Sequence, residues 1–286
     1  MPVVSLKELT TRALTGRYAV PAINVFNDLT LERVLSAAVA ERSPLVVQTS
    51  VKTVKAIGPG VLFAMWHAMT AGIEVPVTLH LDHCPEREVI SCCLKQGWNS
   101  VLFDGSLLSV EENQRQTLEV VAEARRYGAH VEGEIEAITG VEDDHGSDDI
   151  AKRQSLDVVV DFIEATDVDV FAPSIGNAHG AYAQTPDLDG QRVSDIVART
   201  GIPIALHGGT GLTPDQFSDM ISRGCAKVNI STALKMTYMK ANFRFLKKAD
   251  ANNMWDPPSL FREVAQDVDA LAVDHMRLFG SSGKAW

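Results

Sequence analysis

Residues 75–82 read Val-Pro-Val-Thr-Leu-His-Leu-Asp, and residues 202–209 read Ile-Pro-Ile-Ala-Leu-His-Gly-Gly. Each is a near-continuous apolar run that ends in polar residues. Strands buried on both faces, by a parallel sheet and its covering helices, look like this. Working outward, similar β-rich runs recur at 18–26, 44–50, 100–106, 130–136, 168–176 and 226–232, with the quoted pair at 76–82 and 202–209. Helical patterns fill the gaps between them. Ser109-Val-Glu-Glu112 predicts a capping box that opens a helix running to about Arg126. Thr213-Pro-Asp-Gln216 predicts another, with Pro214 at the first helical position, and a last helix is expected over 258–278. Eight strand-then-helix units are the count for a closed (β/α)8 barrel of the TIM type, an α/β fold with its active site at the C-terminal ends of the strands. An open doubly wound sheet is the rival. It would carry a Gly-rich turn after the first strand, where Asn24-Val-Phe-Asn27 stands instead.

The chain has 286 residues, 45% of them hydrophobic, enough for one large core. With no linker or low-complexity segment in view, residues 1–286 are expected to form a single barrel domain. A net charge of −11 and the lack of a Lys/Arg run argue against a nucleic-acid binder. An acidic protein that binds an anion needs local positive potential from a metal, a helix N-terminus or backbone amides. Met1-Pro-Val-Val-Ser5 opens no signal-peptide pattern, and no apolar run approaches a membrane span, so a cytoplasmic location is expected. Cys84, Cys92, Cys93 and Cys225 form no C-x-x-C pair and are expected to be reduced thiols.

The polar residues fall where a barrel would use them. His83 ends the third strand, His179 follows the sixth and His207 ends the seventh. Three neutral imidazoles with one position open is a catalytic zinc arrangement. For any one of them the alternative is a hydrogen-bonded structural histidine. Asp82 adjoins His83, where a carboxylate can move protons to and from a substrate oxygen or, alternatively, orient a ligand. Gly208-Gly-Thr-Gly211 and Asn229-Ile-Ser-Thr232 follow strands seven and eight, the usual phosphate site of such barrels. Asp104 and Glu134 end strands four and five and suit either a second cation or hydrogen bonds to the first. The one long irregular stretch, 137–153, is read as a lid or a solvated acidic loop, and it carries Glu142. His80 is expected inside the barrel below the site. His67, His130, His145 and His275 are read as structural or surface residues.

These residues bring a family into view. The chain resembles the class II, metal-dependent ketose-bisphosphate aldolases, the group of fructose- and tagatose-bisphosphate aldolases. The likeness rests on Tyr18-Ala-Val-Pro-Ala-Ile-Asn24, Leu79-His-Leu-Asp-His83, Ile175-Gly-Asn-Ala-His-Gly180, Leu206-His-Gly-Gly-Thr-Gly211, Lys227-Val-Asn-Ile-Ser-Thr232 and Phe279-Gly-Ser-Ser-Gly-Lys-Ala285. It implies Asp82 as proton donor, His83, His179 and His207 as ligands of a catalytic Zn2+, and Glu142 in proton transfer. It implies that Gly180, Gly208, Gly209, Thr210, Asn229, Ile230, Ser231 and Thr232 hold dihydroxyacetone phosphate, with Ser50 as a further phosphate contact. Asp104 and Glu134 match a second site for a divalent or monovalent cation. Homodimers or homotetramers are implied as well. Glu136 and Val141 stand where relatives tend to have Gly, so the hinge of that stretch is expected to differ. Thr210 replaces a more usual Ser, and Ser231 a usual Ala or Asp.

The expected reaction is reversible aldol cleavage of a phosphorylated ketose to dihydroxyacetone phosphate and an aldehyde. The alternative Schiff-base chemistry needs a lysine inside the barrel. Lys227, at the start of the eighth strand, and Lys235, in the next helix, look badly placed for it. Rival readings are a zinc-dependent phosphate-ester hydrolase and a non-catalytic subunit of an aldolase assembly.

Overall fold

A computed structural model describes residues 3–138, 140–142, 145–147, 153–180, 182 and 184–286, and the backbone alone of 140–142 and 145–147. The chain runs α1 (Leu6–Gly16), β1 (Val20–Asn24), α2 (Asp28–Glu41), β2 (Leu45–Ser50), α3 (Val51–Ile57), α4 (Pro59–Thr70), β3 (Val77–Cys84), α5 (Arg87–Gln96), β4 (Ser100–Asp104), α6 (Val110–Arg126) and β5 (His130–Glu134). It continues through β6 (Gly140–Glu142), β7 (His145–Ser147), α7 (Leu156–Thr166), β8 (Val170–Phe171), α8 (Gly190–Thr200), β9 (Ile204–Leu206), α9 (Pro214–Arg223), β10 (Cys225–Ile230), α10 (Thr232–Asn252) and α11 (Pro257–Leu278). All eight expected strands are present. They pair in parallel and close in the order β1-β10-β9-β8-β5-β4-β3-β2, so the doubly wound alternative is excluded.

Alternation along the strands sorts the core into two layers. Leu79, Leu81, Val101, Phe103, Val228 and Ile230 face the surrounding helices in one large apolar cluster. The opposite residues point into the barrel. At the N-terminal end these are apolar: Val20, Ala22, Val46, Val170 and Ala205 pack with Leu6, Leu9 and Ala13 of α1. That helix closes the bottom of the barrel. Towards the C-terminal ends of the strands the interior turns polar, with Asn24, Gln48, His80, Asp82, Glu132, Glu134, His207, Lys227 and Asn229 all buried. The register sets them side by side: Asn24 pairs with Gln48, Gln48 with His80, and Asp104 with Glu134.

Three local expectations are revised. The stretch 137–153 is not wholly irregular, because Gly140–Glu142 and His145–Ser147 pair as an antiparallel hairpin. Ser109 does cap α6 through the Glu112 amide. The Glu112 carboxylate, however, turns to Arg115 and Gln116, since a full cation one turn along competes with the cap amide. At α9 both bonds of the Thr213–Gln216 box form. The last helix begins at Pro257, one residue before the expected start.

Candidate active site

His83 is delivered by the longest barrel strand. β3 loses register with β4 between Leu81 and Cys84, and His83 takes a φ of 40°, in the left-handed region that non-glycine residues avoid. Strain of this kind persists only where the surroundings over-determine it, and it clusters at functional sites. Here the surroundings are imidazoles and carboxylates. The His83 ring lies 4.7 Å from that of His207 and 4.9 Å from that of His179, centroid to centroid, and His179 and His207 are 6.3 Å apart. The three histidines singled out by sequence therefore meet.

Glu134 joins them. His83, Glu134 and His207 each bring a ligand atom within 4.8 Å of the others. Glu134 Oε2 lies 3.6 Å from His83 Nδ1 and 3.7 Å from His207 Nδ1. One ring nitrogen of each histidine is already held: His83 Nδ1 by Asp104 at 2.9 Å, and His207 Nε2 by Glu132 at 2.7 Å. That leaves His83 Nε2, His207 Nδ1 and Glu134 Oε2 buried without a hydrogen-bond partner among the described residues. Buried polar atoms without partners are costly, and a cation would satisfy all three. Carboxylate partners of this sort fix the tautomer of a ligating histidine, so the donor set fits a metal ion.

The charges agree. Burial disfavours a charged His83, but Asp82, Asp104 and Glu134 outweigh it and raise its pKa well above 6.5. Burial and the nearby Asp104 charge push Glu134 well above 4.5. Burial likewise opposes ionisation of Glu132, yet the Lys227 ammonium holds it well below 4.5. His207 is lowered to about 4 by burial, against the pull of Glu132. The cavity thus gathers Asp82, Asp104 and Glu134 around His83, and pairs Glu132 with the buried Lys227.

Asp82 lies beside this cluster, held from two sides. Asn24 Nδ2 donates to its Oδ2 at 2.8 Å, and Asn229 Nδ2 to its Oδ1 at 3.2 Å. Gln48 in turn donates to Asn24 at 2.6 Å. Burial opposes a charged Asp82, but His83, Lys227 and His207 prevail and lower its pKa. His80 sits beneath, bonded to Ser100 at 2.7 Å, as expected.

The placement of Lys227 corrects the sequence reading. It lies inside the barrel and fully buried. Its ammonium is 2.9 Å from Glu132 and donates to Asn229 Oδ1 at 2.6 Å. It links the His207 arm of the site to the Asp82 arm. Asn24, Gln48, Glu132 and Lys227 were all missed as site residues. For three of them the signal was present: Gln48, Glu132 and Lys227 stand two positions before Ser50, Glu134 and Asn229, and alternation puts such residues on one face. Asn24 enters only through its cross-strand pairing with Gln48.

The glycine loops converge nearby. Gly208 has φ +66°, and a Cβ there would stand 2.1 Å from the Ala178 carbonyl, so only glycine fits. Tyr182 Oη donates to the Gly208 carbonyl at 2.8 Å and accepts from the Ala178 amide at 2.9 Å. Gly209 packs on the Asn229 carbonyl. Thr210 Oγ1 accepts from the Ala233 amide at 3.1 Å, in the first turn of α10. Gly180 is in the left-handed region with open space before it, and the Ser231 hydroxyl is buried without a partner among the described residues. Ile230 and Thr232 flank it at the β10–α10 junction. Ser50 ends β2 and caps α3 through the Thr53 amide. The side chain of Glu142 lies outside the described residues.

A parallel barrel that gathers imidazoles, carboxylates and glycine loops at the C-terminal ends of its strands has the construction of a metal-assisted barrel enzyme. The family model for fructose-bisphosphate aldolase class-II matches residues 4–284. Fructose-bisphosphate aldolase of Geobacillus stearothermophilus is 34% identical over 294 residues, covering 100% of this chain and 99% of that protein. That of Streptococcus pneumoniae is 33% identical over 302 residues, covering 100% of both. The crystal structure of the YdjI aldolase from Escherichia coli K12 superposes with a TM-score of 0.84 at 29% identity, covering 99% of this chain and 100% of that one. The chain belongs to the class II fructose-bisphosphate aldolase family. It is a carbon–carbon lyase that acts on a phosphorylated sugar. No helix among the described residues is long and apolar enough to cross a membrane.

Proposed function

We propose that the chain, acting as one barrel domain over residues 1–286, cleaves fructose 1,6-bisphosphate or its tagatose epimer reversibly to dihydroxyacetone phosphate and an aldehyde. The observation that carries this is the convergence of partnerless, buried His83, His207 and Glu134 atoms beside Asp82. His83, His179 and His207 would hold Zn2+. Bound there, zinc supplies a Lewis acid that polarises the ketose carbonyl and stabilises negative charge as the C3–C4 bond breaks. Asp82, kept ionised and aimed by Asn24 and Asn229, accepts the C4 hydroxyl proton as C4 becomes the aldehyde carbonyl. Glu142 returns a proton to C3, giving dihydroxyacetone phosphate.

Gly180, Gly208, Gly209, Thr210 and Asn229, Ile230, Ser231, Thr232 bind the ketose phosphate with backbone amides and hydroxyls at the start of α10. Ser50 adds a contact to the phosphate. Asp104 and Glu134 serve a second cation, or orient His83 when it is absent. A cytoplasmic homodimer or homotetramer is the matching assembly.

A coupled cleavage assay before and after chelation tests this. Stripped protein should lose activity and regain it with zinc, and borohydride with substrate should trap no lysine adduct. Full cleavage by metal-free protein, or a borohydride-trapped lysine, defeats the proposal.

A further inference from the structure

β8 is the shortest strand of the barrel, only Val170–Phe171. It pairs through Glu132↔Val170, Gly133↔Phe171 and Phe171↔Ile204. Residues 172–180, which end in His179 and Gly180, therefore run largely outside the strand ladder. Something else must fix them.

Glu136 is placed to do so. It stands two residues beyond Glu134, and its side chain is buried. Oε2 accepts from the Ser174 amide at 3.0 Å. Oε1 accepts from Arg192 Nη2 and from the Gln154 amide, both at 2.6 Å. Arg192 belongs to the first turn of α8, whose cap residue Asp189 accepts from the Arg192 amide at 3.0 Å. The Asp189 amide donates to the Ile175 carbonyl at 2.8 Å, and Arg153 Nη1 reaches Asp189 Oδ2 at 3.1 Å. Gly176 lies in the same seam with φ +92°, where a Cβ would stand 2.6 Å from the Asp187 carbonyl. Residues 174–176 are thus gripped between the Glu136 carboxylate and the start of α8, with Arg192 joining the two.

We propose that Glu136 is a positioning residue for the reaction: by fastening Ser174 to the first turn of α8, it sets where the 174–180 loop presents His179. This rests on the reading of His179 as a zinc ligand. A charge-assisted hydrogen bond to a buried carboxylate is short and directional, so removing the charge should loosen this loop before it loosens the barrel.

The test compares zinc-loaded full-length protein with Glu136→Gln and, from the other side of the pair, Arg192→Met. Outer residues that orient ligands typically change metal affinity or activity by about 10–100-fold. We expect release of zinc to a chromogenic chelator to speed up about tenfold or more, and kcat to fall similarly. KM should stay within about twofold, because the phosphate loops after β9 and β10 are untouched. Hydrogen exchange by mass spectrometry should accelerate in peptides covering 174–180, with β3 and β10 unchanged. Uniform loss of protection across the barrel, with wild-type zinc release and kcat, would reduce Glu136 to a stabilising ion pair and overturn the proposal. Arg192→Met keeps the question open to experiment where Glu136→Gln fails to fold. Wild-type protein that takes up no zinc overturns the function on which this rests. Wild-type protein that takes it up, with both variants releasing it at the wild-type rate, overturns only the role of Glu136.

Discussion

The end of β3 and the exit of β8 carry two of the three histidines, and they hold them differently. β3 spans Val77–Cys84 and pairs along both edges, so the backbone ladder carries the chain as far as Asp82, and His83 follows at once in the bulge, with Asp104 on its ring. β8 has two residues, so His179 depends on side chains. Asp169 ties down the residues before it, with Oδ2 accepting from the Val131 amide at 3.0 Å, and Glu136 and Asn177 tie down those after it. Ladder hydrogen bonds are many and mutually supporting. Side-chain anchors are few and can be removed singly. The comparison predicts catalytic loss without loosening on the β3 side, and graded loosening on the β8 side.

The largest effect belongs to Asp82. Asp82→Ala should lose cleavage by roughly 10²–10⁴-fold, the usual contribution of a general acid–base group. It should still exchange hydrogen between dihydroxyacetone phosphate and solvent, because that step needs Glu142 and not Asp82. Deuterium incorporation by NMR, with zinc analysis, distinguishes this from mere orientation of His83. In that case exchange, cleavage and zinc content would fall together.

Lys227→Met attacks the shared floor of the two regions. It strands a buried Glu132 charge, and breaking a buried pair by removing one partner costs about 3–5 kcal/mol. Denaturant unfolding should show this, and adding Glu132→Gln should recover most of it. A double variant as unstable as the single one would mean that Lys227 matters for its shape and not its charge.

Asn177→Ala is a smaller perturbation on the β8 side. Asn177 Nδ2 donates to the His207 carbonyl at 3.1 Å, and its Oδ1 accepts from the Ile175 amide at 3.0 Å. Losing such neutral bonds costs about 0.5–1.5 kcal/mol each. Zinc affinity, read by chelator competition, should weaken by roughly two- to tenfold for one such bond, with cleavage at saturating zinc nearly intact. An unchanged affinity would mean that the loop is held without it.

The smallest effect is on acid stability. Burial opposes ionisation of Asp169, but His130, the Val131 amide and Lys7 outweigh it, so its folded pKa is depressed. A depressed carboxylate contributes stability that is fully present above the unfolded pKa, near 3.9, and is lost as pH falls through the lower folded value. Melting temperature should therefore drop on acidification below about pH 4, and Asp169→Asn should flatten that drop. Parallel curves for the two proteins would show that β8 draws nothing from this charge.

Much of this was legible in the sequence, and the boundary has a physical cause. Eight apolar runs separated by helical patterns determined the barrel, because strand and helix periods are local properties of the chain. Given the barrel, His83, His179, His207, Asp82 and the glycine loops followed from their positions at strand ends. Tertiary structure alone decided how those residues are held. Asn24 and Asp82 are 58 positions apart, Glu132 and His207 75, and Asp82 and Asn229 147. No local period reports such pairings. The inward burial of Lys227 and the grip of Glu136 on Ser174 likewise depend on which surfaces meet when the barrel closes. Local pattern names the strands and the residues at their ends; the hydrogen bonds that aim those residues exist only between segments that folding brings together.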